Sequence, residues 1–172
     1  ESVRHIVGVQ LRNLATVGGS IYSRFGFSDV LTMFLALNAS VELYKRGVVP
    51  LAEYAQRPYD RDILVRLIVK KTPMQLYYQS VRNSQTDFPV LTCAAAKLAD
   101  GSIRAAIGAR PGKAVLYTAA PEAGETAEEF AARFAAEVKA DIKTESNLRG
   151  GAEYRRHLAG VLTKRAVCRL EG

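Results

Sequence analysis

The 172-residue sequence predicts an α+β fold of two subdomains, antiparallel sheets with packed helices, and three observations carry that prediction. Strand-like runs come in groups joined by hairpin signals, without the regular β-α-β alternation that builds a doubly wound sheet. A polar stretch ending in proline, Lys70-Lys71-Thr72-Pro73, divides those groups in two. The last part of the chain reads as two helices, one opened by a capping box. Residues 1–72 and 73–172 are therefore expected to form separate units.

Glu1 to Arg12 has apolar residues at Val3, Ile6, Val7 and Leu11, a helical spacing. Asn13 to Val17 leads into Gly18-Gly19 and the apolar pair Ile21-Tyr22. Ser28-Asp29 opens a helix whose body is Val30, Leu31, Met33, Phe34, Leu35 and Leu37. Ala39 to Tyr44 alternates as a strand, Arg46-Gly47 turns it, and Val48-Val49 starts the return. Leu51 to Tyr54 is a short helical turn after Pro50. Asp62 to Val69, rich in β-branched residues, is a further strand.

Beyond Pro73, Gln75 to Arg82 and Phe88 to Leu98 are expected strands, and Asp100-Gly101 is a hairpin turn into Ser102 to Ala109. Arg110-Pro111-Gly112 precedes a last strand over Ala114 to Thr118. Thr126-Ala127-Glu128-Glu129 is the capping box, and Phe130, Phe134, Val138 and Ile142 recur behind it at four-residue spacing. A loop over Ser146 to Gly151 leads to a helix marked by Tyr154, Leu158, Val161, Leu162 and Val167. Its other face carries Arg155, Arg156, Lys164, Arg165 and Arg169.

Apolar residues form 48% of the chain and charged ones 24%, a globular balance that excludes general disorder. No apolar run approaches the roughly 18 residues of a membrane-crossing helix. The net charge of +7 fits nucleic acid, an acidic partner or a diphosphate cofactor. The basic residues are scattered and no nucleic-acid motif accompanies them, so no nucleic-acid partner is expected. Cys93 and Cys168 are far apart in apolar surroundings and read as buried, reduced thiols of a cytoplasmic protein. They are too few for an iron–sulfur cluster, and no metal-ligand spacing is present. His5 and His157 are isolated and read as non-catalytic. Asp60, Arg61 and Asp62 read as a surface charge cluster.

Two short stretches have ligand-binding chemistry. Gly18 and Gly19, lacking Cβ atoms, let backbone amides approach a phosphate, with Thr16 and Ser20 hydroxyls beside them; a tight turn between packed segments is the alternative. Ser28 and Asp29 start a helix whose free amides suit an anion while the carboxylate accepts from a ligand hydroxyl; simple helix capping is the alternative.

Arg12-Asn13-Leu14-Ala15-Thr16-Val17-Gly18-Gly19-Ser20-Ile21, then Ser28-Asp29 and Leu35-Ala36-Leu37-Asn38-Ala39, together resemble one family. They are similar to the second half of the FAD-binding domain in molybdenum hydroxylases of the xanthine dehydrogenase and carbon monoxide dehydrogenase type. The likeness continues through Thr86-Asp87-Phe88-Pro89-Val90-Leu91, Ile107-Gly108-Ala109-Arg110-Pro111 and Ala152-Glu153-Tyr154-Arg155-Arg156-His157-Leu158. It implies that residues 1–72 are the second half of an FAD-binding domain and residues 73–172 the C-terminal flavoprotein domain, an antiparallel sheet plus two helices.

The resemblance implies roles as well. Thr16, Gly18, Gly19, Ser20 and Tyr22 fall where the family wraps the flavin diphosphate and ribityl chain. Ser28 and Asp29 fall on the pair holding FAD hydroxyl and phosphate groups, and Ile63 and Leu64 fall near the isoalloxazine ring or adenine. No residue of this chain is implied to be catalytic. The implied function is electron transfer as the FAD-binding subunit of a hetero-oligomeric oxidoreductase. The molybdenum cofactor and 2Fe–2S clusters reside on molybdopterin-binding and iron–sulfur partner subunits, and NAD or another acceptor takes the electrons. A non-catalytic assembly fragment that has lost FAD is the alternative.

The family's first glycine-rich segment would precede Glu1, so this chain is expected to be a fragment supplying part of the FAD shell and binding it weakly alone. Three departures stand out: Ser20 replaces the usual Asn, Gly26 and Thr32 replace prolines, and Tyr78 replaces a Lys near the flavin. They imply a shorter reach at residue 20, a looser loop before Asp29, and less tuning by positive charge. Tyr154-Arg155-Arg156 is expected either to join a partner subunit or to be a solvated basic face.

Overall fold

The amphipathic spacing at the start of the chain does not produce the long helix it predicts. The computed structural model describes residues 1–172, and its first helix is only α1, Val9–Leu14. Val3, Val7 and Leu11, the expected buried stripe, are 50%, 42% and 45% exposed. A short helix is marginal without an apolar surface to pack on, and Val7 breaks the run with a left-handed backbone at φ 41°.

Next come α2 (Val17–Tyr22) and α3 (Asp29–Ala36). Strands β1 (Ser40–Leu43), β2 (Gly47–Pro50) and β3 (Leu64–Ile68) form an antiparallel sheet in the order β2-β1-β3, with α4 (Leu51–Gln56) between β2 and β3. Gly47, at φ 69°, supplies the left-handed residue of the predicted hairpin turn.

The second sheet is an antiparallel meander in sequence order: β4 (Gln75–Val81), β5 (Leu91–Lys97), β6 (Ile103–Gly108) and β7 (Val115–Ala119). Helices α5 (Ala127–Asp141) and α6 (Ala152–Glu171) complete the chain. The predicted capping box forms, with the Glu129 amide donating to Thr126 Oγ1 and the Thr126 amide returning a bond to the Glu129 carboxylate. It opens α5, whose Phe130, Phe134 and Val138 are buried as their spacing predicts.

This second sheet is covered on both faces, which is why β5 reads as one continuous apolar run rather than an alternation. Cys93, Ala95, Ile103, Ala105 and Ile107 pack with α5 and α6. Ala94, Ala96 and Ala106 point the other way, into the cluster of Ile21, Leu31 and Leu35. Small side chains on that face let α3 lie close to the strands. Gly108 is the limiting case, since a Cβ there would lie 2.3 Å from Thr32 Oγ1 and 2.5 Å from Thr92 Oγ1.

Several polar residues lie elsewhere than expected. Arg155 is fully buried, not part of a basic face. Its Nε donates to Val90 O at 2.9 Å, Nη1 to Glu145 O and Gly150 O at 2.6 and 2.7 Å, and Nη2 to Asn147 Oδ1 at 2.6 Å. It thus ties the loop before α6 to the start of β5. Asp62 is likewise buried and accepts from the amides of Lys45 and Ile63, closing the β1–β3 side of the sheet. Cys93 is buried, and burial pushes its thiol up to about 12, whereas Cys168 is exposed. No helix is long and apolar enough to cross a membrane.

Candidate cofactor site

Gly18 and Gly19 lie inside a helix rather than in a turn. Thr16 caps α2 by accepting the Gly19 amide on Oγ1 at 3.0 Å. Ser20 Oγ donates back to Thr16 O at 3.1 Å. The glycines weaken a helix interior, but in the first turn a side-chain cap offsets much of that loss. A Cβ at Gly18 would meet nothing within 4 Å, so the chain's own packing does not require glycine there. The space opens outward, toward whatever approaches the start of α2.

Ser28 caps α3 by accepting the Leu31 amide at 3.1 Å, and its Oγ donates to Ser20 O at 3.4 Å. That bond links the glycine helix to the acidic helix start. Asp29 is only 6% exposed, and its Oδ1 accepts from both the Tyr78 hydroxyl and the Arg82 guanidinium. Arg82 also donates to Asp87 O at 2.6 Å and Ser80 Oγ at 3.2 Å, so its charge is fully engaged. Burial first, and the adjacent Asp29 carboxylate second, push the Tyr78 phenol far above its ordinary range, so it stays protonated and donates.

Ser20, Ser28, Asp29 and Arg82 form the polar side of one groove of about 190 Å³; Phe25, Phe27 and Phe88 lie on its apolar side. The Phe25 and Phe27 rings stack at 5.1 Å, and Phe88 meets Phe27 edge-on at 4.7 Å. The loop carrying these aromatics is tightly held, contrary to the looseness expected from Gly26. Gly26 O accepts from the Ala109 amide at 2.6 Å, and a Cβ on Gly26 would lie 1.6 Å from Gly112 O. Thr32 is equally fixed, with Oγ1 bonded to Ser28 O and to Thr92 Oγ1.

The structure thus brings together Ser20, Ser28 and Asp29, and sets Thr16, Gly18 and Gly19 at the open start of the helix that carries Ser20. Tyr22, Ile63 and Leu64 do not line this groove. Tyr22 instead donates to Asp60 O at 3.3 Å, Ile63 is 65% exposed, and Leu64 begins β3. Beside Tyr22, the buried Arg24 guanidinium lies 4.5 Å from the ring centres of both Tyr54 and Tyr59 and pairs with Asp60 at 4.0 Å. Asp60 is therefore part of an internal clamp rather than a free surface charge. Sequence reasoning missed Arg82 and the three phenylalanines. The alternation of Tyr78 and Ser80 along β4 with Arg82 just past its end is the signal Arg82 left, and it does not name Asp29 as the partner.

Comparison with known proteins agrees with this architecture. Residues 1–72 match the family described as FAD binding domain in molybdopterin dehydrogenase. Residues 76–170 match the CO dehydrogenase flavoprotein C-terminal domain. The chain belongs to the CO dehydrogenase flavoprotein family.

Among this flavoprotein's relatives is the uncharacterized protein YgfM of Escherichia coli K12, 27% identical over 162 residues, 94% of this chain and 61% of the relative. The O157:H7 protein of the same name matches to the same extent. The fold is shared with reconstituted CO dehydrogenase from Oligotropha carboxidovorans, at TM-score 0.83 and 21% identity, over 99% of this chain and 66% of that one. Quinoline 2-oxidoreductase from Pseudomonas putida 86 gives TM-score 0.82 and 19% identity, over 99% of this chain and 65% of that one. The flavoprotein chain therefore spans less than two thirds of the length of the relatives it matches.

Proposed function

We propose that this chain contributes part of the FAD site in the electron-transfer subunit of a molybdenum-containing oxidoreductase. The observation that carries the reading is the groove in which Ser20, Ser28 and the buried Asp29 meet, next to the unobstructed backbone at Gly18. These residues fit a flavin dinucleotide: hydroxyl and carboxylate acceptors suit a polyol, the α2 start suits a phosphate, and the phenylalanines suit a flat ring. Thr16, Gly18, Gly19 and Ser20 would hold the diphosphate and ribityl chain; Ser28 and Asp29 would hold FAD hydroxyl groups. Tyr22 would join them on the diphosphate and ribityl chain, and Ile63 and Leu64 would approach the isoalloxazine ring or adenine, all three from outside the groove.

FAD, when bound, would supply the exchange of electrons between 2Fe–2S clusters on an iron–sulfur subunit and NAD or another acceptor. The chain's own residues bind, orient and shield it. The molybdenum cofactor would belong to a molybdopterin-binding subunit. We place the complex in the cytoplasm, and the units 1–72 and 73–172 as two domains sharing the site.

A groove of about 190 Å³ is below the roughly 300–1,000 Å³ of pockets that bury a ligand. The 172-residue chain is therefore expected to bind FAD more weakly than micromolar. Equilibrium titration followed by flavin fluorescence measures it. A colourless protein that shows no flavin binding at any concentration yet retains its partners would reject the flavin reading in favour of an assembly role.

A further inference from the structure

We propose that the groove between α6 and the outer side of β4 is a docking site for an acidic polypeptide segment of a partner protein. The groove has a volume of about 620 Å³ and is lined by Tyr77, Val161, Lys164, Arg165, Cys168 and Arg169. Lys164, Arg165 and Arg169 are exposed, and none takes part in the molecule's ion pairs. Elsewhere in the same half, Arg82, Lys97, Arg133 and Arg149 each hold a carboxylate. Between Glu153 and Glu171 the helix carries no acidic residue, and Glu171 is already tied to Lys97 at 2.7 Å.

Three uncompensated cations on two adjoining turns of α6, Lys164 and Arg165 on one and Arg169 on the next, repel one another, at a cost an acidic ligand would remove. The apolar floor of Tyr77 and Val161 favours a chain with some side-chain bulk over a free inorganic anion. β4, which contributes Tyr77, is the end strand of its sheet, so the groove lies beside a strand edge that no neighbouring strand covers. An acidic extended segment satisfies the charge, the floor and the edge together. Nothing in this inference depends on flavin binding, and the groove is separate from the one containing Asp29.

Cys168 provides the reporter, because it is exposed in the groove while Cys93 is buried with its thiol pushed up to about 12. Alkylation by iodoacetamide, which is uncharged, is followed by mass spectrometry of the peptide carrying Cys168, with and without an oligoglutamate probe. The probe is expected to slow alkylation about tenfold, the low end of what a focused charged surface does to local counter-ion concentration. Protection should vanish in about 1 M salt, where the screening length is roughly 3 Å. The Lys164→Glu/Arg165→Glu variant should lose it, while Lys70→Glu/Lys71→Glu, with the same change in net charge, should keep it. Equal loss in both variants, no protection in the unmodified protein, or stronger protection by an oligothymidylate would overturn the proposal. The melting temperature of each variant separates loss of binding from loss of fold.

Discussion

At the scale of single residues, the two glycines nearest the site make opposite demands. Gly18 has a helical backbone and open space around a would-be Cβ, so Gly18→Ala is expected to raise stability by up to about 1 kcal/mol. If the proposed site is right, the same change weakens FAD binding, because the methyl occupies the approach to the amides. Thermal melts and flavin titration of one variant read both effects, and unchanged affinity would remove Gly18 from the site. Gly26→Ala, whose Cβ would lie 1.6 Å from Gly112 O, is expected to unfold the loop or the protein. Asp29 offers a different test. Asp29→Ala leaves Arg82 charged and buried, and is expected to cost about 3–5 kcal/mol. Combining it with Arg82→Met should recover most of that loss in urea denaturation, since the unpaired charge is then gone.

At the scale of elements, α5 is held at its start by charge as well as by its cap. Arg133 Nε and Nη2 each lie close to the Glu125 carboxylate, at 2.8 and 2.9 Å, and Nη1 reaches Glu137 at 2.9 Å. The Arg133 hydrogen bonds, followed by the Glu122 amide, hold Glu125 down to about 2 from an ordinary 4.5. A depressed folded value means that this contribution is complete above pH 4.5 and is lost as pH falls toward about 2. Glu125→Gln should accordingly flatten the acid-side fall in stability over that window, with little change in its neutral-pH shape. Denaturation curves across the window decide it; identical slopes for both proteins would show that the pair contributes nothing. α6 depends instead on Arg155. Its bonds diverge to acceptors on the loop and on Val90, so Arg155→Lys, with a single compact ammonium, is expected to be nearly as destabilising as Arg155→Ala.

At the scale of the whole molecule, the four-stranded sheet belongs to two cores at once. Ala94, Ala96 and Ala106 pack with α3, while Cys93, Ala95 and Ile107 pack with α5 and α6. The Ala109–Gly26 and Thr32–Thr92 bonds cross between the same parts of the chain. The parts before and after Pro73 are therefore expected to unfold together, in one calorimetric transition whose van't Hoff and calorimetric enthalpies agree. Two separable transitions would mean that the alanine-lined contact is weaker than its burial implies.

By itself the sequence determined the α+β class, the hairpins at Arg46-Gly47 and Asp100-Gly101, the capped helix at Thr126 and the family. Each of these is written in residues close along the chain, where backbone preference, side-chain period or a motif is decided locally. Tertiary structure alone decided that Asp29 is claimed by Tyr78 and Arg82, and that Arg155 and Asp62 are internal. It also left Val3, Val7 and Leu11 about half exposed rather than in the core and placed Cys168 in a basic groove. Those outcomes depend on contacts between residues distant in sequence, and a charge or an apolar stripe carries no local record of what will lie opposite it.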